Sequence, residues 1–116
     1  MSEFQIYHNP RCSKSRQTLA LLEENGVTPE VILYLETTPS LAELKAIIAK
    51  LGVNVRDILR KGEDAFKEQN LSNRDLSDDQ LLAAMLATPK LIERPIVVKG
   101  DKAVVGRPPE NVLTLI

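Results

Sequence analysis

One cysteine, Cys12, stands in the run Tyr7-His8-Asn9-Pro10-Arg11-Cys12-Ser13-Lys14-Ser15-Arg16. A cysteine attacks as its thiolate, and an ordinary thiol, with a pKa of about 8.5, is mostly protonated at neutral pH. Nearby cations and the unpaired N–H groups of a helix N-terminus lower that value. His8, Arg11 and Arg16 are candidate cations, and Ser15 can offer its hydroxyl to the sulfur from the first helical turn. This setting is polar and cationic, unlike the apolar surroundings of an inert buried cysteine. The residues therefore predict a nucleophilic thiolate at Cys12, with His8 and Ser15 as assisting groups.

Spacing narrows the chemistry. Cys12 to Ser15 reads C-x-x-S, so the resolving thiol of a dithiol oxidoreductase is missing. An oxidised or adducted Cys12 must then be released by an outside thiol. Six positions after the cysteine stands Thr18, not arginine, which excludes the oxyanion-cradling loop of cysteine phosphatases. One Cys and one His cannot fill a four-ligand zinc shell. Arginine's planar fork of donors suits tetrahedral oxyanions. Arg60, Arg94 and Arg107 each abut a turn at the end of an apolar element, though spacing alone does not make them converge. Pro95 leads into a strand, and its isomer is open at this level.

The elements that must position these residues follow from periodicity. Phe4 to Tyr7 alternates as a short strand, and Asn9-Pro10 turns the chain. A helix is expected from Cys12 or Ser13 to about Asn25, with Leu19, Leu21 and Leu22 inward and Gly26 as its stop. Val31 to Leu35 is an apolar run of the kind a buried strand shows. Ser40 with Glu43 forms a capping box ahead of Leu41, Leu44, Ile47, Ile48 and Leu51, and Gly52 ends that helix. Asn54 caps a short helix through Leu59, the charged stretch 63–76 reads as partly helical, and Ser77 with Gln80 opens a helix closed before Pro89. Two apolar runs, Pro95 to Val98 and Ala103 to Val105, flank a polar turn as a hairpin. A last helix starts at Pro108 or Pro109. The order is βαβ, helices, then ββα. The expectation is an α/β chain with a thioredoxin-like fold, a single domain over 1–116 with a helical insertion at about 40–88.

Composition bounds the rest. The chain has 116 residues, 43% of them hydrophobic, and a formal net charge of −1. There is no basic field for nucleic acid or anionic lipid, and two Phe, two Tyr and no Trp make a poor base-stacking platform. No apolar run approaches the roughly 18 residues of a membrane span. The N-terminal residues do not read as a signal peptide. A lone thiol fits a reducing compartment, so a cytoplasmic protein engaging neither nucleic acid nor membrane is expected.

The run from Tyr7 to Arg16 closely resembles the active-site loop of the glutaredoxin-coupled arsenate reductase (ArsC) family. Leu33 to Thr37, Ile58 to Lys61, Glu93 to Val98 and Gly106 to Glu110 resemble further family blocks in order, closest to its short YfgD-like branch. The resemblance implies a thioredoxin-like fold with a helical insertion. It implies that Cys12 attacks arsenate to form a covalent thiol–arsenate adduct, which glutathione as co-substrate and glutaredoxin as partner resolve to arsenite, with no bound cofactor. It places the anion-binding arginines at Arg60, Arg94 and Arg107, and marks His8 and Ser15 as positions that favour the thiolate. Ser13-Lys14 stand where the well-studied resistance enzymes carry Gly-Thr. The competing readings are a glutathione-dependent monothiol oxidoreductase acting on another substrate, and a module that binds RNA polymerase as the related Spx regulators do. Spx senses oxidants with a C-x-x-C pair, and Ser15 removes the second thiol.

Overall fold

A computed structural model describes residues 3–116. They divide into two compact units, one formed by the two ends of the chain up to Thr37 and from Arg94, the other by residues 38–93. The first unit holds a four-stranded sheet of order β2-β1-β3-β4. Its strands are β1 (Phe4–Tyr7), β2 (Glu30–Ile32), β3 (Ile96–Lys99) and β4 (Lys102–Val105). β1 runs parallel to β2 across a crossover through α1 (Ser13–Glu24), and antiparallel to β3, which turns into β4. This is the expected thioredoxin-like order.

Period-two alternation decides which face is covered. Phe4 and Ile6 of β1 share a face with Val97, opposite Ile6 in the register. With Leu22 of α1 and with Val112 and Leu115 of the final 3-10 helix, Pro109–Leu115, they form the buried cluster of this unit. The turn between β3 and β4 needs a left-handed residue, and Gly100 takes φ +60° there.

Three local expectations are corrected. The apolar run Val31 to Leu35 is not one buried strand: pairing ends at Ile32, and Val31 and Leu35 are exposed. The sheet order makes β2 an edge strand, so half of its run turns away into a loop that buries only Tyr34. Leu41, expected inward, is exposed at the first position of its helix. The C-terminal helix forms with the tighter 3-10 winding.

The second unit is helical. It contains α2 (Leu41–Leu51), α3 (Asp64–Glu68) and α4 (Asp78–Ala87), with 3-10 segments at Val55–Ile58 and Pro89–Leu91. Both capping boxes form: Ser40 Oγ accepts from Glu43 N while Glu43 accepts from Ser40 N, and Ser77 and Gln80 do the same. Leu81, Leu82 and Met85 of α4 are buried, and α4 packs against α2 and both 3-10 segments. Among the described residues no helix is long and apolar enough to cross a membrane.

Candidate functional site

The loop that follows β1 is held from several directions. His8 N–H extends the β1–β2 ladder to Ile32 O at 2.9 Å, and Cys12 N–H closes a turn onto Asn9 O at 3.0 Å. Asn9 Oδ1 accepts from Arg11 N at 3.0 Å, the local side-chain turn to which Asn is suited. Cys12 then takes the N-cap position of α1 with extended backbone. No acidic residue lies in the first turn of α1, so nothing there opposes a negative charge on sulfur.

Cys12 keeps 8% of its surface exposed. Burial pushes its thiol pKa up. The backbone N–H of Ser15, the Arg94 guanidinium and the backbone N–H of Lys14 push it down, and the balance leaves the thiol below its ordinary value. Arg107 adds a contact from Nη2 to Sγ at 3.4 Å. Two guanidinium groups carried at the two ends of the β3–β4 hairpin thus meet one sulfur at a helix N-terminus.

Both arginines are held. Burial alone would lower the Arg94 pKa, but hydrogen bonds and charge interactions with Cys12 and Tyr34 raise it, so the group stays cationic. Arg107 Nε donates to the Arg94 carbonyl at 2.7 Å, and its own carbonyl accepts from Asn111 Nδ2 at 3.1 Å. The peptide bonds Arg94–Pro95 and Arg107–Pro108 are both cis. Gly106, before Arg107, packs so closely that an added Cβ would lie 2.5 Å from Thr18 Oγ1 and 2.9 Å from Pro95 Cγ. Thr18 is fully buried in α1 and donates to Lys14 O at 2.8 Å. This contact seats the arginine-bearing turn against the helix that begins at Cys12.

His8 and Ser15 form a buried pair, Nδ1 to Oγ at 2.6 Å, and Ser15 Oγ also accepts from Asn9 N at 3.0 Å. The expectation that the Ser15 hydroxyl reaches the sulfur is corrected: the hydroxyl is taken by His8 and Asn9, and Ser15 serves Cys12 through its backbone N–H. Burial, then the charge of Arg16, lowers the His8 pKa, so His8 is neutral near pH 7 and supplies no cation. Arg16 donates to Pro10 O at 3.1 Å. Arg60 belongs to the helical unit, where it pairs with Glu93 at 2.6 Å and Glu63 at 3.3 Å. Tyr34 is the residue that sequence reasoning missed. A tyrosine inside an aliphatic run carries a hydroxyl that needs a partner when buried, and that was the available signal. Here it is 1% exposed and engages Arg94.

A family model described as the ArsC family matches residues 7–115. The uncharacterized protein YfgD of Escherichia coli (strain K12) is 55% identical over 115 residues, 98% of this chain and 97% of its own. An arsenate reductase of Neisseria meningitidis serogroup B is 52% identical over 113 residues, 97% of each chain. A solved arsenate reductase from Vibrio cholerae superposes with a TM-score of 0.95 at 58% identity, covering 97% of each chain.

Proposed function

The chain belongs to the ArsC family, and from that membership we propose that it reduces arsenate to arsenite through Cys12. The observation that carries the reading is a thiol of lowered pKa at the start of α1 with Arg94 and Arg107 both in hydrogen-bonding contact with it. A tetrahedral oxyanion entering there meets two planar forks of donors beside a nucleophile.

In this mechanism the Cys12 thiolate attacks arsenic. An S–As bond forms, an As–O bond breaks, and the oxygen leaves as water with arsenic still As(V). Glutathione displaces a second oxygen as water. A glutaredoxin thiolate then attacks the glutathione sulfur, and the electron pair of that S–As bond stays on arsenic, which becomes As(III). Water cleaves the Cys12–As bond, returning the thiol and releasing arsenite. The balance is one arsenate and two external thiols giving one arsenite, one mixed disulfide and one water. With one cysteine in these 116 residues, both electrons come from other molecules and no bound cofactor is needed. Glutathione chemistry of this kind belongs in the cytoplasm. Arg94 and Arg107 stabilise the anion and the charge that develops on it. His8 and Ser15 hold the loop so that the Ser15 N–H faces the sulfur. Arg60 contributes least, because Glu63 and Glu93 already compensate its charge.

The test is arsenate-dependent oxidation of NADPH in a coupled assay containing glutathione, glutathione reductase and glutaredoxin. The wild-type chain is expected to turn over and Cys12→Ser to be inactive. Equal rates for the two would overturn the reading.

A further inference from the structure

Beside the thiol loop lies a cavity of about 290 Å³ whose walls are His8 to Arg11 on one side and Leu33, Leu35 and Glu36 on the other. Its chemistry is mixed. Pro10, Leu33 and Leu35 give apolar surface, while Arg11 and Glu36 bring one positive and one negative charge that form no ion pair with each other. Each charge sits on a fastened turn: Arg11 N–H is held by Asn9 Oδ1 at 3.0 Å, and Glu36 N–H by Leu33 O at 2.9 Å. Cys12 follows Arg11 directly, so their Cα atoms are about 3.8 Å apart. The cavity therefore borders the loop that leads into Cys12, with His8 to Arg11 as its wall.

We infer that this cavity binds the second substrate, a small zwitterionic thiol peptide of the glutathione class. A carboxylate of the peptide pairs with Arg11, its α-ammonium with Glu36, and its short backbone lies over Pro10 and Leu35. Separated charges of opposite sign around an apolar floor suit a ligand carrying both charges, and suit neither a simple oxyanion nor an uncharged thiol. The inference rests on the reading of Cys12 as a thiolate that works with glutathione, but it can be tested without arsenate.

The experiment measures thiol–disulfide exchange. The Cys12 thiolate attacks one sulfur of oxidised glutathione, a Cys12–glutathione disulfide forms, and one glutathione thiolate leaves. The same exchange with uncharged hydroxyethyl disulfide is the reference. The rate ratio of the two is expected to fall about tenfold in Arg11→Gln and in Glu36→Gln, the effect of one lost charge-assisted contact. A charge-swapped pair, Arg11→Glu with Glu36→Arg, is expected to recover part of the preference. Backbone amide shifts on titration with S-methylglutathione are expected at residues 9–11 and 33–36. An unchanged ratio in both single variants, or shifts confined to other residues, would overturn the inference. Failure of arsenate turnover with the ratio and the shifts as expected would instead count against the proposed reaction alone.

Discussion

At the residue scale the question is why the pKa of a largely buried thiol falls below its ordinary value. Burial opposes the charge, and it is outweighed by two backbone N–H groups and an arginine. Alkylation of Cys12 by iodoacetamide is therefore expected to rise with pH through a midpoint below that of a free cysteine. In Arg94→Gln the midpoint moves up, since the cation that favours the charged form is gone; an unmoved midpoint would assign the shift to the helix terminus alone. Cys12→Ser is expected to lower arsenate turnover by about 10⁴ or more, as loss of a nucleophile does. Arg94→Ala should cost about 10²–10³ in kcat/KM for arsenate, as loss of one anion-stabilising donor does. Arg60→Ala, whose partners already compensate it, should cost less, and steady-state kinetics on the two variants checks the ranking. Cys12, Arg94 and Arg107 could be picked out as candidates because their residue types and flanking turns are local features, and Arg60 was picked out on the same grounds although its partners are Glu63 and Glu93. The replacement of His8 by Arg94 as the stabilising cation was not readable, because Arg94 lies 82 positions along the chain from Cys12.

At the scale of elements, what was local was legible. Both capping boxes announced their helices, because a serine and a glutamate or glutamine three residues on satisfy each other's backbone whatever the rest of the chain does. Ser40→Ala and Ser77→Ala are each expected to cost about 1 kcal/mol, read as a lower midpoint in urea with the slope retained. The length of β2 was not legible. An apolar run looks alike in a central strand and in an edge strand that turns away, and only the sheet order separates them. Gly106 is likewise decided by tertiary approach. Gly106→Ala crowds both Thr18 and Pro95, so the turn or both neighbours must shift, at about 1–3 kcal/mol, as overpacking does. It also moves Arg107, so a raised KM for arsenate is expected together with a lower midpoint of chemical unfolding. A stability loss with the KM unmoved would show that the turn yields without carrying the arginine.

At the scale of the whole molecule, the order βαβ, helices, ββα was readable because every element carries its own period or cap. The convergence at Cys12 was not, since it depends on β3 pairing beside β1. One sulfur per chain sets the electron balance. Without external thiol, the protein mixed with arsenate is expected to release no arsenite, and intact-mass measurement after adding oxidised glutathione is expected to show one tripeptide adduct and never two. The tether between the two arginines has a last consequence. Arg107 is fastened to the main-chain carbonyl of Arg94, not to its side chain. Truncating residue 94 therefore leaves its neighbour's fork in place. On the proposed reading the two cations can then be lost one at a time, and a variant that keeps only Arg107 is a starting point for redesign toward a differently shaped ion.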